Sequence, residues 1–266
     1  MARRKARRSD RLLSGGAQER PRRERGAAGG LWIYGRHAVA AALANPRRDV
    51  RRLVMLDPDA VAVPDGRPAP EIRDRAGIEA LLPPGAVHQG LAALVAPLPE
   101  LGVEDVCIAA ADRPDAIVVV LDQVTDPQNV GAILRSAAAF GAIAVIQQAR
   151  HAPPVTGTLA KAASGGLEAL MLADAVNIAR ALDDLRTAGF RTIGLDSDAP
   201  QTLAAAPAGG RVALVLGAEG SGLRRLVREG CDILARLPTR PPVASLNVSA
   251  AAAAALYELA RGRAIS

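Results

Sequence analysis

From Ala116 to Leu121 the chain runs Ala-Ile-Val-Val-Val-Leu without a polar break. A short, continuous, β-branched run of this kind marks a strand buried on both faces of a parallel sheet. Val212 to Leu216 repeats the pattern, and Ile143 to Gln147, Phe190 to Leu195 and Ile233 to Leu237 read as further strands. Between them the spacing predicts helices over Asn129 to Phe140, closed by Gly141, and Ile178 to Ala188, closed by Gly189. An Ala-rich helix follows from Ser245 to Arg261. Glycine just past a helical run is a common stop. Strand alternating with helix gives an α/β class with a parallel sheet.

Upstream the elements are shorter. Leu31 to Gly35 starts a strand, His37 to Leu43 a helix ended by Asn45-Pro46, and Val50 to Leu56 a second strand. Ala76 to Leu82 reads as helix and Val87 to Val95 as strand. The expected organisation is therefore a small α/β unit over 30–97, a linker over 98–115 and a larger α/β unit over 116–266. Pro99, Asp112, Arg113 and Pro114 are the linker's signal.

Composition changes this picture in two ways. Half of the 266 residues are hydrophobic but only 2% are aromatic, so the core must be aliphatic. The net charge of +6 is unevenly placed: residues 1–25 carry ten Arg or Lys against three acids, and the remainder is −1. Residues 1–29, rich in Arg and Gly, are expected to be disordered. They read as an arm drawn to phosphates, with a solubility tail or an Arg-rich transit peptide as alternatives. Cys107 and Cys231 make neither a disulfide framework nor a zinc motif. No apolar run reaches the ~18–20 residues of a membrane span. The basic start lacks a signal-peptide apolar core, so a soluble, cytoplasmic protein is expected.

Three segments follow expected strands, where open α/β sheets bind ligands. In LDQVTDPQNVGAILR, Asn129 is a helix cap or a ligand group, and Arg135 a surface charge or an anion contact. In LVLGAEGSGL, three glycines allow close backbone approach, and Glu219 sits within the turn. The segment has neither the dinucleotide nor the phosphate-loop glycine pattern. In LPTRPPVASLNVSAAAAAALYE, Ser245 and Asn247 sit at the start of the last helix, as caps or as ligand groups. His37, His88 and His151 lack metal-ligand spacing, and no metal site is expected. Trp32, Tyr34 and His37 are either core side chains, the reading favoured for Trp32, or groups able to stack on bases.

DPQNVGAILR, LGAEGSGL and SLNVSAAAAAALYE together resemble, in order, spacing and identity, the three motifs of the SpoU (TrmH-type) RNA ribose 2′-O-methyltransferases of the SPOUT class. RHAPPVTGTLAKAASGGLEAL and IYGRHAVAAAL are similar to the branch acting on guanosine of bacterial 23S rRNA. The resemblance implies a C-terminal trefoil-knotted domain and an N-terminal L30e-like RNA-binding domain. It also implies S-adenosyl-L-methionine as cofactor, 23S rRNA or a ribosome assembly intermediate as partner, and a homodimer. A tRNA or other rRNA target, or a non-catalytic assembly factor, are the alternatives. At matching positions it implies Asn129, Arg135, Glu219, Ser245 and Asn247 as catalytic residues. Gly217, Leu237 and Leu246 would surround the cofactor. Thr239-Arg240-Pro241-Pro242 departs from the Met and Gly of many relatives.

Overall fold

The structure is a computed structural model that describes residues 29–207, 209–242 and 245–263. The basic arm expected over residues 1–29 lies, apart from Gly29, outside the described residues.

Two sheets organise the chain. The first is built by β1 (Leu31–Tyr34), α1 (Arg36–Ala44), β2 (Val50–Met55), β3 (Pro70–Ile72), α2 (Arg75–Glu79) and β4 (Leu91–Val95), in the order β1-β4-β2-β3. Its central strand β4 runs antiparallel to both neighbours, while β3 lies parallel to β2. Where Val87 to Val95 was expected as strand, only Leu91 onward pairs. Residues 83–90 instead form a turn with Gly85, Gln89 and Gly90 at positive φ.

Next comes α3 (Val103–Ala109), inside the stretch expected to be a linker. Its Val106 is fully buried, and Leu101 bridges Ala173 in the larger sheet. The prolines misled because they flank the helix rather than interrupt it. The larger unit contains β5 (Ile117–Leu121), α4 (Pro127–Ala139), β6 (Ala144–Gln148), α5 (Gly157–Ala163), α6 (Gly166–Ala169), β7 (Met171–Ala175), α7 (Ile178–Thr187), β8 (Arg191–Leu195), β9 (Gln201–Thr202), β10 (Val212–Leu216), α8 (Arg225–Glu229), β11 (Ile233–Arg236) and α9 (Val248–Ala260). Its seven strands lie in the order β7-β6-β5-β10-β8-β11-β9, and every pairing is parallel.

Alternate residues of each strand face opposite sides. Val119, Leu121, Val145 and Leu214 pack under α4, α5 and α9, while Val118, Val120, Ile146 and Val215 pack under α3, α7 and α8. The first of these cores continues into Ile33, Leu43, Leu53 and Ala93 of the small sheet, so the two units share apolar packing.

Close contacts set the geometry on that face. A Cβ on Gly131 of α4 would lie 2.5 Å from the Ala162 Cβ of α5. A Cβ on Gly157 would lie 2.5 Å from the Trp32 carbonyl of β1. Tyr34 Oη and Thr158 Oγ1 share a hydrogen bond at 3.1 Å. Deeper, Glu168 of α6 accepts from Arg48 Nη2 at 2.5 Å and from Asn45 Nδ2 at 2.8 Å. Arg48 is 2% exposed and Glu168 9%. A buried ion pair of this kind needs every remaining donor satisfied. The Arg48 Nη1 donates to the Ala96 carbonyl at 2.8 Å.

Candidate active site

The central pair β5 and β10 end side by side, with Leu121 opposite Leu216. Both run on into loops at the C-terminal edge of the sheet. After β5, Asp126 caps α4 by accepting from Gln128 N–H at 3.0 Å, and Pro127 occupies the first helical turn. The helix therefore starts earlier than the pattern implied. Asn129 is not its cap but an internal residue, 8% exposed.

After β10, residues 217–223 fold into a tight turn. Ala218 and Gly222 exchange backbone hydrogen bonds at 3.2 and 2.9 Å. A Cβ on Gly217 would meet the Gly222 carbonyl carbon at 2.2 Å, so no side chain is possible there. Gly220 and Gly222 have positive φ, and a Cβ on either would meet nothing within 4 Å. Bare backbone thus faces open space beyond the sheet edge. The turn is pinned by Asp122, which is fully buried and follows β5 directly. Its carboxylate accepts from Arg224 N–H at 2.9 Å and from Arg224 Nε at 2.7 Å. Neither residue was singled out from the sequence. An acid next to a buried strand end was the available signal, but its partner lies 102 positions away.

The third segment returns from β11 to α9, which packs along α4; the Phe140 and Tyr257 rings meet edge-on at 6.1 Å. Asn247, rather than Ser245, caps α9. Its Oδ1 accepts from Ser249 N–H at 2.8 Å and Ser249 Oγ at 2.6 Å. Asn247 is a stronger cap here because its amide serves both ends. Its Nδ2 donates to Asn129 Oδ1 at 3.1 Å and to Glu219 Oε1. Asn129 Nδ2 also donates to Glu219 Oε1, at 3.3 Å. Three residues spread over 118 positions thus close one hydrogen-bonded triangle. Glu219 Oε2 carries no hydrogen bond among the described residues.

None of the other expected residues joins this triangle by a side-chain hydrogen bond among the described residues. Arg135 lies two turns along α4, exposed, with no hydrogen bond or ion pair among the described residues. Asn129 holds Glu219 and Asn247, not Arg135. Ser245 is exposed, and Leu246 is 44% exposed. Leu237 is half-buried against the core. Gly217 closes the turn. His151 and His37 are exposed. The cysteines offer no competing nucleophile: burial pushes the Cys231 thiol up to about 12 and raises Cys107 as well, so little thiolate exists at neutral pH. No group of three His, Cys, Asp or Glu among the described residues is arranged to hold a metal ion.

The region that holds these segments is matched in comparison with known proteins. The SpoU rRNA Methylase family profile matches residues 116–257. A 23S rRNA (guanosine-2′-O-)-methyltransferase RlmB of Photobacterium profundum is 38% identical over 245 residues, covering 88% of this chain and 98% of the relative. Its namesake from Xylella fastidiosa is 44% identical over 182 residues, covering 67% and 72%. In fold, the chain is similar to the SpoU methyltransferase AviRb of Streptomyces viridochromogenes in complex with AdoMet. That likeness has a TM-score of 0.72 at 24% identity and covers 89% of this chain and 91% of that one. With the glycine turn, the buried Asn129 and the Asn247 cap drawn together at the ends of β5 and β10, this chain belongs to the SpoU rRNA methylase family.

Proposed function

We propose that this protein is an enzyme that transfers a methyl group from S-adenosyl-L-methionine to the ribose 2′-hydroxyl of a guanosine in 23S rRNA. The observation that carries the reading is the Asn129–Glu219–Asn247 triangle beside a side-chain-free turn, in a chain that aligns over 98% of a guanosine-2′-O-methyltransferase.

The residues present fit the cofactor. Gly220 and Gly222 present bare backbone to open space, and Leu246 is an exposed apolar side chain in the third motif segment. S-adenosylmethionine, when bound, supplies an electrophilic methyl group; this chain supplies orientation and charge. Orientation is a large share of the barrier in an in-line transfer. Asn247 and Glu219 lock the Asn129 amide in one rotamer. In this reading Glu219 Oε2, without a hydrogen bond among the described residues, and the Ser245 hydroxyl orient the ribose. An arginine side chain is a cationic donor with no acceptor, so the role of Arg135 is to hold the RNA backbone or to stabilise the developing alkoxide.

The finer architecture belongs to the same reading. The helix α9 follows β11, two strands beyond β10, yet returns to pack on α4. This supports threading of the C-terminal segment into a trefoil knot, against the usual rule. The small sheet is read as an L30e-like RNA-binding domain. Arg135 stands apart from the triangle, which supports a homodimer whose site takes Arg135 from the second copy. The arm of residues 1–25 then supplies charge that the near-neutral remainder lacks, for 23S rRNA or a ribosome assembly intermediate in the cytoplasm.

Ribose-methylation mapping of rRNA from a deletion strain tests the substrate: one guanosine 2′-O-methyl should vanish from 23S rRNA. An unchanged rRNA profile with a methyl group lost from tRNA would reject it. In the purified enzyme, Arg135→Ala should abolish transfer while calorimetry shows S-adenosylmethionine affinity within about threefold of wild type, since a difference under ~0.7 kcal/mol is a minor contact. Equal loss of both would make Arg135 a cofactor or folding residue. Mixed Arg135→Ala and Asn247→Ala heterodimers should recover part of the activity; none would recover it if each chain carries a complete site.

A further inference from the structure

The turn before β4 borders an open cavity of about 620 Å³ whose lining includes none of the triangle's residues. That size is in the range of small-molecule pockets. Its walls are Pro83, Pro84, Val87 and Leu56, with His88 and Glu79 between them. Val87 is 67% and Leu56 49% exposed, two of the few large apolar side chains left to solvent among the described residues.

The polar side of this cavity is unfinished. His88 is 4% exposed, and its Nδ1 accepts from Gly90 N–H at 3.1 Å. With Nδ1 accepting, the ring's donor is Nε2. That Nε2 is buried and has no hydrogen-bond partner among the described residues. A buried donor left unmade is costly and calls for an explanation. The nearest carboxylate oxygen, Glu79 Oε1, is 3.8 Å away, beyond hydrogen-bond range, and is held at 2.9 Å by Arg75 Nε. A donor and an acceptor thus stand side by side in the cavity wall, each complementary to a planar group that carries an acceptor next to a donor.

The turn is also held in place from outside. Gln89 has φ 55, a left-handed backbone unusual for a side chain of this type. Strain of this kind persists only where surroundings over-determine it. Here the Gln89 carbonyl oxygen Oε1 accepts from Arg36 N–H at 3.3 Å and from Lys161 Nζ of α5. Since α5 packs on α4 across Gly131, the turn is linked through Lys161 to an element in contact with the helix that bears Asn129 and Arg135.

We propose that this cavity is a second RNA-recognition site, taking one unstacked nucleobase of the substrate. The edge of such a base offers an acceptor beside a donor, matching His88 Nε2–H and the Glu79 carboxylate. Its faces lie against Pro83, Pro84 and Val87, which stand in for the stacking aromatics this chain nearly lacks. Single-stranded RNA is read in this way, by faces stacked and edges hydrogen-bonded. The site deepens the reading of the protein as an RNA methyltransferase and rests on it.

The test uses the full-length protein and in vitro transcribed 23S rRNA, with RNA affinity by filter binding and steady-state methyl transfer. Val87→Asp alters only the exposed mouth and should raise KM for RNA about tenfold, the scale of one lost base contact, with kcat within twofold. His88→Leu should do the same, and His88→Gln, which keeps a donor near Nε2, should recover part of the loss. S-adenosylmethionine affinity serves as the folding control. Wild-type KM and RNA affinity in both Val87→Asp and His88→Leu would overturn the proposal. If the wild type binds this RNA but does not methylate it, the substrate reading falls. The affinity comparison still decides the cavity: a tenfold loss in Val87→Asp supports it, and equal affinity overturns it.

Discussion

Asp122 is the residue on which the glycine turn depends. It is fully buried, and both of its oxygens are taken by Arg224, one by the backbone N–H and one by the guanidinium. The turn between Gly217 and Leu223 is thereby clamped to the end of β5. Asp122→Asn keeps the shape and removes the charge, leaving one amide hydrogen facing an arginine donor. Losing a partner from a charge pair that is buried on one side costs about 2–3 kcal/mol, at the low end of the buried range because Arg224 is 39% exposed. Urea denaturation should show that loss. Calorimetry should show S-adenosylmethionine affinity falling at least tenfold, because the loosened turn must be reordered on binding. Unchanged cofactor affinity in a destabilised protein would mean that the turn keeps its shape without the clamp.

At the scale of elements, the decisive contact is α4 against α5. It is close because Gly131 has no side chain: a Cβ would come within 2.5 Å of Ala162 and 2.9 Å of the Leu159 carbonyl. Gly166 makes the same kind of approach of α6 to the α4 backbone, 2.6 Å from the Leu134 carbonyl. Glycine inside a helix normally costs about 0.5–1 kcal/mol relative to alanine, so Gly131→Ala would stabilise an isolated α4. In the folded protein the overpacking outweighs this, at about 1–3 kcal/mol. Thermal unfolding should therefore show Gly131→Ala to be less stable than wild type, and activity should fall more than stability, because α4 carries Asn129. A more stable Gly131→Ala protein would mean that α5 can retreat freely.

For the whole molecule, the Arg48–Glu168 pair and Asn45 hold the small unit against the large one. Glu168→Ala strands a guanidinium that is 2% exposed, and should cost about 3–5 kcal/mol in chemical denaturation. The double variant Arg48→Met, Glu168→Leu should recover most of that stability, because an apolar pair of similar volume carries no desolvation penalty. RNA methylation should stay impaired in the double variant if the pair's directional hydrogen bonds fix how the units face each other. Full recovery of both would reduce the pair to a space filler.

Much of this was legible in the residues themselves. Continuous runs of five apolar residues marked β5 and β10, and shorter apolar stretches holding Val or Ile marked β6, β8 and β11. The three motif segments were visible because glycines, an acid and two asparagines stood where expected strands end. Weakly patterned elements were not visible. Met-Leu-Ala-Asp-Ala of β7 has no β-branched residue, and the short helices α3, α5, α6 and α8 have too few turns to show a period. Caps were misplaced by three residues at α4 and by two at α9 because Asp126 and Asn247 won through contacts that local spacing does not encode. Only the tertiary structure decided that Asn129 binds Glu219 and Asn247, that Asp122 finds Arg224, and that His88 keeps a buried donor unpaired beside a cavity. Local sequence sets which backbone conformations are cheap. Which side chains meet across a hundred residues is settled by how the sheets and helices pack, and that is a property of the whole chain.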